Sequence, residues 1–304
     1  MDASLQASWR RGGSQNTRRR RRQQPVPALA AAAALAFASL PAQSEGQDVP
    51  LWELGLGLSG LRVPYYRGSD QYRNLVLPLP YFVYRGDFFR SDREGVRGVL
   101  FDSKSVSLNI SAGASLPVLS SHSDARVGMP DLKPEIELGP ALDWTLWRGH
   151  NPGTRLMASF PVRAAIGIQW PPRSLGWITN PHLDLDLTDP VRGPGWNLTL
   201  QAGPLFATRR LNDTYYSVDR AYATPTRPAY AAPGGYSGMQ FSTGLSKRFR
   251  HIWVGAFARY DSVGGAVFED SPLVRSSHSI YGGVGVAVIV GKSSIGVPRR
   301  DEDY

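Results

Sequence analysis

In HLDLDLTD, residues 182–189, leucine alternates with polar residues. Successive side chains of a β-strand point to opposite faces, so Leu183, Leu185 and Leu187 share one face while His182, Asp184, Asp186 and Thr188 share the other. A helix would scatter the same charges around its axis. The two-residue period returns along the chain. WELGLGLSG (52–60) opposes Trp52, Leu54, Leu56 and Leu58 to Glu53, Gly55, Gly57 and Ser59. VSLNISAGASL (106–116), EIELGPALDWTLW (135–147), LMASFPVRAAIGIQW (156–170), WNLTLQAGPLFATR (196–209), MQFSTGLSKRF (239–249), HIWVGAFARYD (251–261) and SIYGGVGVAVIVG (279–291) repeat it. The last sets Ile280, Val284, Val286, Val288 and Val290 against a face that is mostly glycine.

Segments of about ten residues with one apolar and one polar or small face are the mark of an antiparallel transmembrane β-barrel, greasy outside and wet inside. A soluble β-sandwich or a lipocalin-like barrel also alternates. Three features favour the membrane. The second face is built of Ser, Asn, Gly, Thr and paired charges, with few of the long Lys and Glu side chains of a solvated surface. Aromatic residues gather near segment ends, as interfacial girdles do: Trp52, Tyr81, Trp144, Trp147, Trp170, Trp196, Trp253 and Tyr260. Short connections (148–153, 189–195, 247–250) also alternate with long ones (65–73, 117–134, 210–235, 262–277), which predicts periplasmic turns and extracellular loops. Keeping each kind on its own side requires 86–102 to hold two short strands. The fold class is then an all-β barrel of twelve strands, an even number; if 86–102 is one strand, the count falls to ten.

The start of the chain reads differently. RRRRRQQPVPALAAAAALAFASLPAQS has a cationic run at Arg18–Arg22, an apolar run at Ala28–Leu40 and a small-residue cleavage site at Leu40-Pro41-Ala42. That is a secretory signal peptide over residues 1–42 with a long basic n-region. The expected organisation is signal peptide 1–42, a short lead-in 43–50, the barrel 51–291 and a polar tail 292–304. Because the arginine run abuts the apolar run, it points to export and away from nucleic acid. Residues 1–22 hold seven of the 34 basic and one of the 25 acidic residues, so the remainder carries 27 − 24 = +3. The strongly basic balance belongs to the leader. No cysteine is present, which excludes disulfides, a lipid-modified cysteine, thiolate metal sites and cysteine nucleophiles.

Residues 52–102 contain PYYRGSD and LPLPYFVYRGDFF, and DSPLVR follows at 270–275. With these blocks the chain resembles the MipA/OmpV family of outer-membrane proteins, the MltA-interacting proteins, from about Leu51 to Gly291. The resemblance implies a porin-like barrel in the outer membrane of a Gram-negative bacterium. It implies contact with outer-membrane lipids and a scaffold role between a murein transglycosylase and a peptidoglycan synthase. It implies no catalytic residues, and no cofactor is expected. The alternative reading is a narrow porin-like channel for small polar solutes.

Other motifs have plainer explanations. GLGLSG (55–60) matches a dinucleotide-binding pattern, but no helix follows it and no acidic residue lies at the required distance. SHSD (121–124) gathers Ser, His and Asp in one loop, and a catalytic triad needs a three-dimensional placement that sequence neighbours rarely provide, so a solvated loop is expected. NLT (197–199) and NDT (212–214) match glycosylation acceptors, the first inside a strand. RGD (85–87) reads as a tight turn, and five scattered histidines make no metal site. The candidate functional residues are therefore a lumen-facing charged wall: Glu135, Glu137, Asp143, Arg155, Arg163, Asp184 and Asp186. A carboxylate on the lipid face is costly, so the register turns these charges inward. They either brace a hydrated lumen or screen solutes in a narrow pore. A glycosidase-like acid pair at Asp184 and Asp186 lacks any sugar cleft to support it.

Overall fold

A computed structural model describes residues 48–92, 95–150, 153–190 and 194–298. The leader assigned to 1–42 and the end of the tail lie outside the described residues. The strands are β1 (Val49–Pro50), β2 (Trp52–Pro64), β3 (Tyr72–Arg85), β4 (Phe89–Asp92), β5 (Gly95–Asp102), β6 (Val106–Ser115), β7 (Glu135–Arg148), β8 (Arg155–Gly167), β9 (Arg173–Thr179), β10 (His182–Thr188), β11 (Trp196–Ala207), β12 (Gly235–Arg248), β13 (Ile252–Ser262), β14 (His278–Lys292) and β15 (Gly296–Val297). Strands β2 to β14 form one antiparallel sheet in which each pairs with its sequence neighbours, apart from β9 with β10, and β14 returns to pair with β2. β9 and β10 both lie between β8 and β11, one above the other, so together they make a single wall strand and the barrel has twelve.

The break between them falls at Asn180-Pro181, where proline cannot donate to a ladder. The Asn180 side-chain amide spans it by donating to the Pro204 carbonyl at 2.8 Å. The stretch 86–102 does hold two short strands, β4 and β5.

Alternation places the side chains as lipid demands. In β2, Leu56 is 64 % exposed and Glu53, three residues away on the other face, is 0 % exposed. Leu54, Leu56 and Leu58 stand beside Val288 and Val286 of β14 and Phe82 of β3 on one continuous outer face. The girdle expected from the sequence is only partly an outer feature. Trp144, Trp147, Trp170 and Tyr260 are exposed. Tyr81 and Trp253 instead pair with Gly55 and Ala287 on the inner face, their ring centroids 6.1 Å apart. Glycine at 55 and alanine at 287 leave that inner space to the two rings.

The segments that flank the barrel strands pair with each other. Val49 and Pro50 pair with Val297 and Gly296, Leu51 donates to the Ile295 carbonyl, and Ser293 donates to the Trp52 carbonyl. Part of the tail that the sequence left without structure is thus one half of a clasp that extends the β14–β2 seam.

At the other end the long loops do not extend into solvent. They fold over the mouth as a cap containing one α-helix, α1 (Arg209–Tyr216), within the loop that the sequence left unstructured. Leu211 of α1 packs on Ala165, Leu175 and Ala207 of the wall. Tyr216 stacks on Phe268 with centroids 3.6 Å apart, inside a cluster with Tyr66, Val118, Leu132, Ala232, Val263 and Ala266 from four loops. A substitution of Leu56 tests the outward face. Leu56→Arg should cost about 2–4 kcal/mol and deplete the heat-modifiable folded band on gels, while Leu56→Phe should leave that band unchanged.

Candidate functional site

The lumen is the concave space that all twelve wall strands share, and its two halves differ in chemistry. On β6–β8 and β10–β11 the inner face is charged. Nearest the cap, Glu135 is buried beside Ser115 and Tyr215, whose hydroxyls lie 3.1 Å apart. One step down, Arg163 Nε sits 3.2 Å from Glu137 Oε2, and the absent side chain of Gly113 leaves room for that pair. At mid-height Asp143 accepts from Asn109 and from Ser159, both at 2.5 Å. Beside this row, His182 Nε2 lies 3.0 Å from Asp184, which also accepts from Gln201 at 3.0 Å. Lowest, Asp186 faces Arg155 Nε at 3.3 Å and accepts from the Thr199 hydroxyl at 2.7 Å.

The seven residues singled out from the sequence thus stand on one inner surface but in separate pairs at successive heights. Opposite charges meet at two of them, Glu137–Arg163 and Asp186–Arg155. Asp184 and Asp186 do not act on each other; each is engaged by a different neighbour. Hydration is limited at the lowest pair, since Asp186 is only 4 % exposed. A buried ion pair of this kind gains little over an apolar pair, but removing one partner strands the other charge.

Two charge networks were not legible in the sequence. At the short-turn end, Glu53 takes Arg85 at 3.0 Å and Arg248 at 2.5 Å, joining β2, β3 and β12 across the inner face. Under the cap, Asp261 takes Arg67 at 3.3 Å, Arg259 at 3.1 Å and the Tyr281 hydroxyl at 2.9 Å. Period-two alternation places each charge inside but says nothing about which strands oppose it.

Between those two networks the inner positions of β2, β3, β13 and β14 are mostly apolar or glycine. Leu75, Leu77 and Leu79 pair with Leu61, Ser59 and Gly57 on the face that carries Glu53. Phe257 stands opposite Gly283 on the same face. The text LPLPYF had given no warning, because leucines and prolines are both apolar and mask which side is which.

The cap itself is a built lid. Tyr66 donates to the Leu273 carbonyl at 2.8 Å and Tyr216 to the Arg67 carbonyl at 3.1 Å. Arg126 donates to the Tyr215 carbonyl, and Arg227 to the Ala125 and Val127 carbonyls. Burial pushes the Tyr66 phenol up to about 12, with Arg126 opposing the shift. Burial likewise raises Tyr216 and lowers the Arg126 guanidinium from its ordinary value. The SHSD stretch belongs to this lid: Ser123 is buried, and the Asp124 amide donates to Gln71 at 2.7 Å. Among the described residues no hydrogen bond links Ser121, His122 and Asp124 as a triad would require.

A family model described as MltA-interacting protein MipA matches residues 56–289. This chain belongs to that family. The matched span runs from the first wall strand to the last and so covers the barrel with its lumen and cap. Among curated proteins none matches the sequence. Three solved structures are similar at low identity. Outer membrane phospholipase A from Escherichia coli is 12 % identical with a TM-score of 0.32, covering 79 % of this chain and 94 % of that one. The Pseudomonas putida toluene transporter TodX is 11 % identical with a TM-score of 0.31, covering 78 % and 89 %. The Ralstonia pickettii toluene transporter TbuX is 10 % identical with a TM-score of 0.22, covering 83 % and 71 %. At these scores none of the three says what this member of the MipA family does.

The lowest ion pair offers a direct measurement. Arg155→Met and Asp186→Asn should each lower the urea midpoint of the barrel in lipid vesicles. The double variant should lose less than the sum of the two, by a coupling of about 0.5–3 kcal/mol.

Proposed function

We propose that this MipA-family barrel is a non-enzymatic scaffold for peptidoglycan-remodelling enzymes at the periplasmic face of a Gram-negative outer membrane. The observation that carries the reading is the packed cap. Four loops share one apolar cluster over the mouth, which suits a barrel that holds position better than one that conducts. Barrels of this class place short turns in the periplasm and long loops outside. The clasp of Val49–Pro50 with Gly296–Val297 then lies on the periplasmic side, beside the turns that a soluble enzyme can reach. The family description names interaction with MltA, which makes a murein transglycosylase the first partner to test. In this reading the charged wall braces the lumen, and none of its carboxylates works as an acid or base.

Detergent-solubilised barrel should retain a purified murein transglycosylase in a pull-down, and proline substitution of Val49 and Val297 should weaken that retention without changing heat-modifiable mobility. Absence of retention removes the scaffold reading. The second reading, a narrow channel for small polar solutes, draws on the polar row from Asp143 to Asp186. Planar bilayers separate the two. The capped barrel should be electrically silent; a steady current that Asp184→Asn shifts away from cations would instead favour the channel.

A further inference from the structure

Among the described residues the barrel wall is incompletely paired on one side. β4 spans only Phe89–Asp92, and among the described residues β3 meets it only at Tyr84 and Arg85. β5 pairs with β6 only from Ser107 to Ile110. Above this short hairpin, among the described residues, β3 has ladder partners only on β2 over residues 72–83, and β6 only on β7 over residues 111–115. The result is a notch two strands wide between β3 and β6. Its top is bridged by Arg73 Nη1, which donates to the Pro117 carbonyl at 2.7 Å. Val76, on the outer face of β3 beside the notch, is 77 % exposed.

An unpaired strand edge invites another strand, but this edge is blunted. The Leu77 carbonyl accepts from Ser59 of β2, while the Phe82 carbonyl accepts from Ser91 of β4. In an antiparallel strand the N–H and C=O of one residue point the same way and alternate along the chain. Even-numbered residues of β3 therefore turn their backbone groups toward the notch, and two of them, Pro78 and Pro80, have no N–H to offer. Strand addition would lose those two bonds. Beside the notch the inner face of β3, β2 and β13 is apolar: Leu75, Leu77, Leu79, Leu61 and Phe257. Phe257 is 42 % exposed although it points inward, so part of this surface is open to the lumen.

We propose that the notch is a lateral window through which an acyl chain of the surrounding outer-membrane lipid enters the lumen and lies on the leucine wall. A window flanked by lipid-facing residues such as Val76 opens onto acyl chains. The surface behind it matches their chemistry, and the two prolines turn away the competing occupant, a β-strand. The charged wall on the far side confines the chain to the apolar half. This inference stands apart from the scaffold reading and needs only the barrel in a bilayer.

The native chain has no cysteine, so single-cysteine variants give unique labelling sites. Leu77→Cys, inside the window, and Ser246→Cys, an inner position on β12, are labelled with bimane and reconstituted in phosphatidylcholine vesicles. The quenchers are phosphatidylcholine brominated in mid-chain and aqueous iodide. The expected result is several-fold stronger quenching by brominated lipid at Leu77→Cys than at Ser246→Cys, with Leu79→Asp reducing it while heat-modifiable mobility persists. Leu75→Cys repeats the measurement should the Leu77 variant fail to fold. Quenching by iodide alone at the window overturns the proposal, as does equal lipid quenching at both positions. Loss of lipid quenching on formation of a dimer overturns it too, since the edge would then take a strand after all.

Discussion

Inside a bilayer no water waits to bond an unpaired backbone group, so a sheet can cross only if its ladder closes on itself. The β14–β2 pairing provides that closure, and the rest of the molecule follows from it. Once the sheet is a ring, every strand has an inside and an outside, and the two-residue period becomes a radial sorting of lipid-facing leucine and valine from enclosed charge. The places where the ladder fails are patched individually. Asn180 bonds across the Asn180-Pro181 break, the pairing of Val49–Pro50 with Gly296–Val297 extends the closing seam, and Pro78 and Pro80 remove donors where, among the described residues, β3 has ladder partners only on β2.

The enclosed side is divided in two. Carboxylates and guanidinium groups on β7, β8 and β10 neutralise each other across strands, which is the condition for keeping charge in a poorly hydrated space. The facing arc of β2, β3, β13 and β14 carries leucine, phenylalanine and glycine, which need no such pairing. A twelve-strand ring is wide enough that its interior is not filled by short side chains alone. The networks at Glu53 and Asp261 take up the space at its two ends by reaching across several strands.

Above this, the cap behaves as a small folded layer. Its apolar cluster comes from four separate loops, and its arginines spend their donors on backbone carbonyls of neighbouring loops. Backbone carbonyls at that depth otherwise depend on water. Arginine, with five donors in a rigid fork, satisfies several at once. The connections thus have a defined shape despite their length, and they make the mouth of the barrel a surface instead of an opening.

The all-β class, the twelve strands and the sharing of one strand face by Asp184 with Asp186 and by Glu135 with Glu137 were legible in the sequence. Each depends on local alternation and on connection length, and both are properties of neighbours along the chain. The partners were not legible: Asp186 meets Arg155 and Glu53 meets Arg248 through pairing between strands, which alternation leaves open. Tyr81 and Trp253 read as girdle residues because an aromatic near a strand end looks the same whichever way it points; only the register with Gly55 and Ala287 turns them inward. The helix α1 escaped notice because eight residues carry too little periodicity, and its place depends on the wall it packs against. Sequence alone determined that this chain sorts apolar from polar by strand face. Which strand stands beside which, and so which charges pair and where the wall is left open, was decided by closing the ring, since closure brings residues hundreds of positions apart into contact.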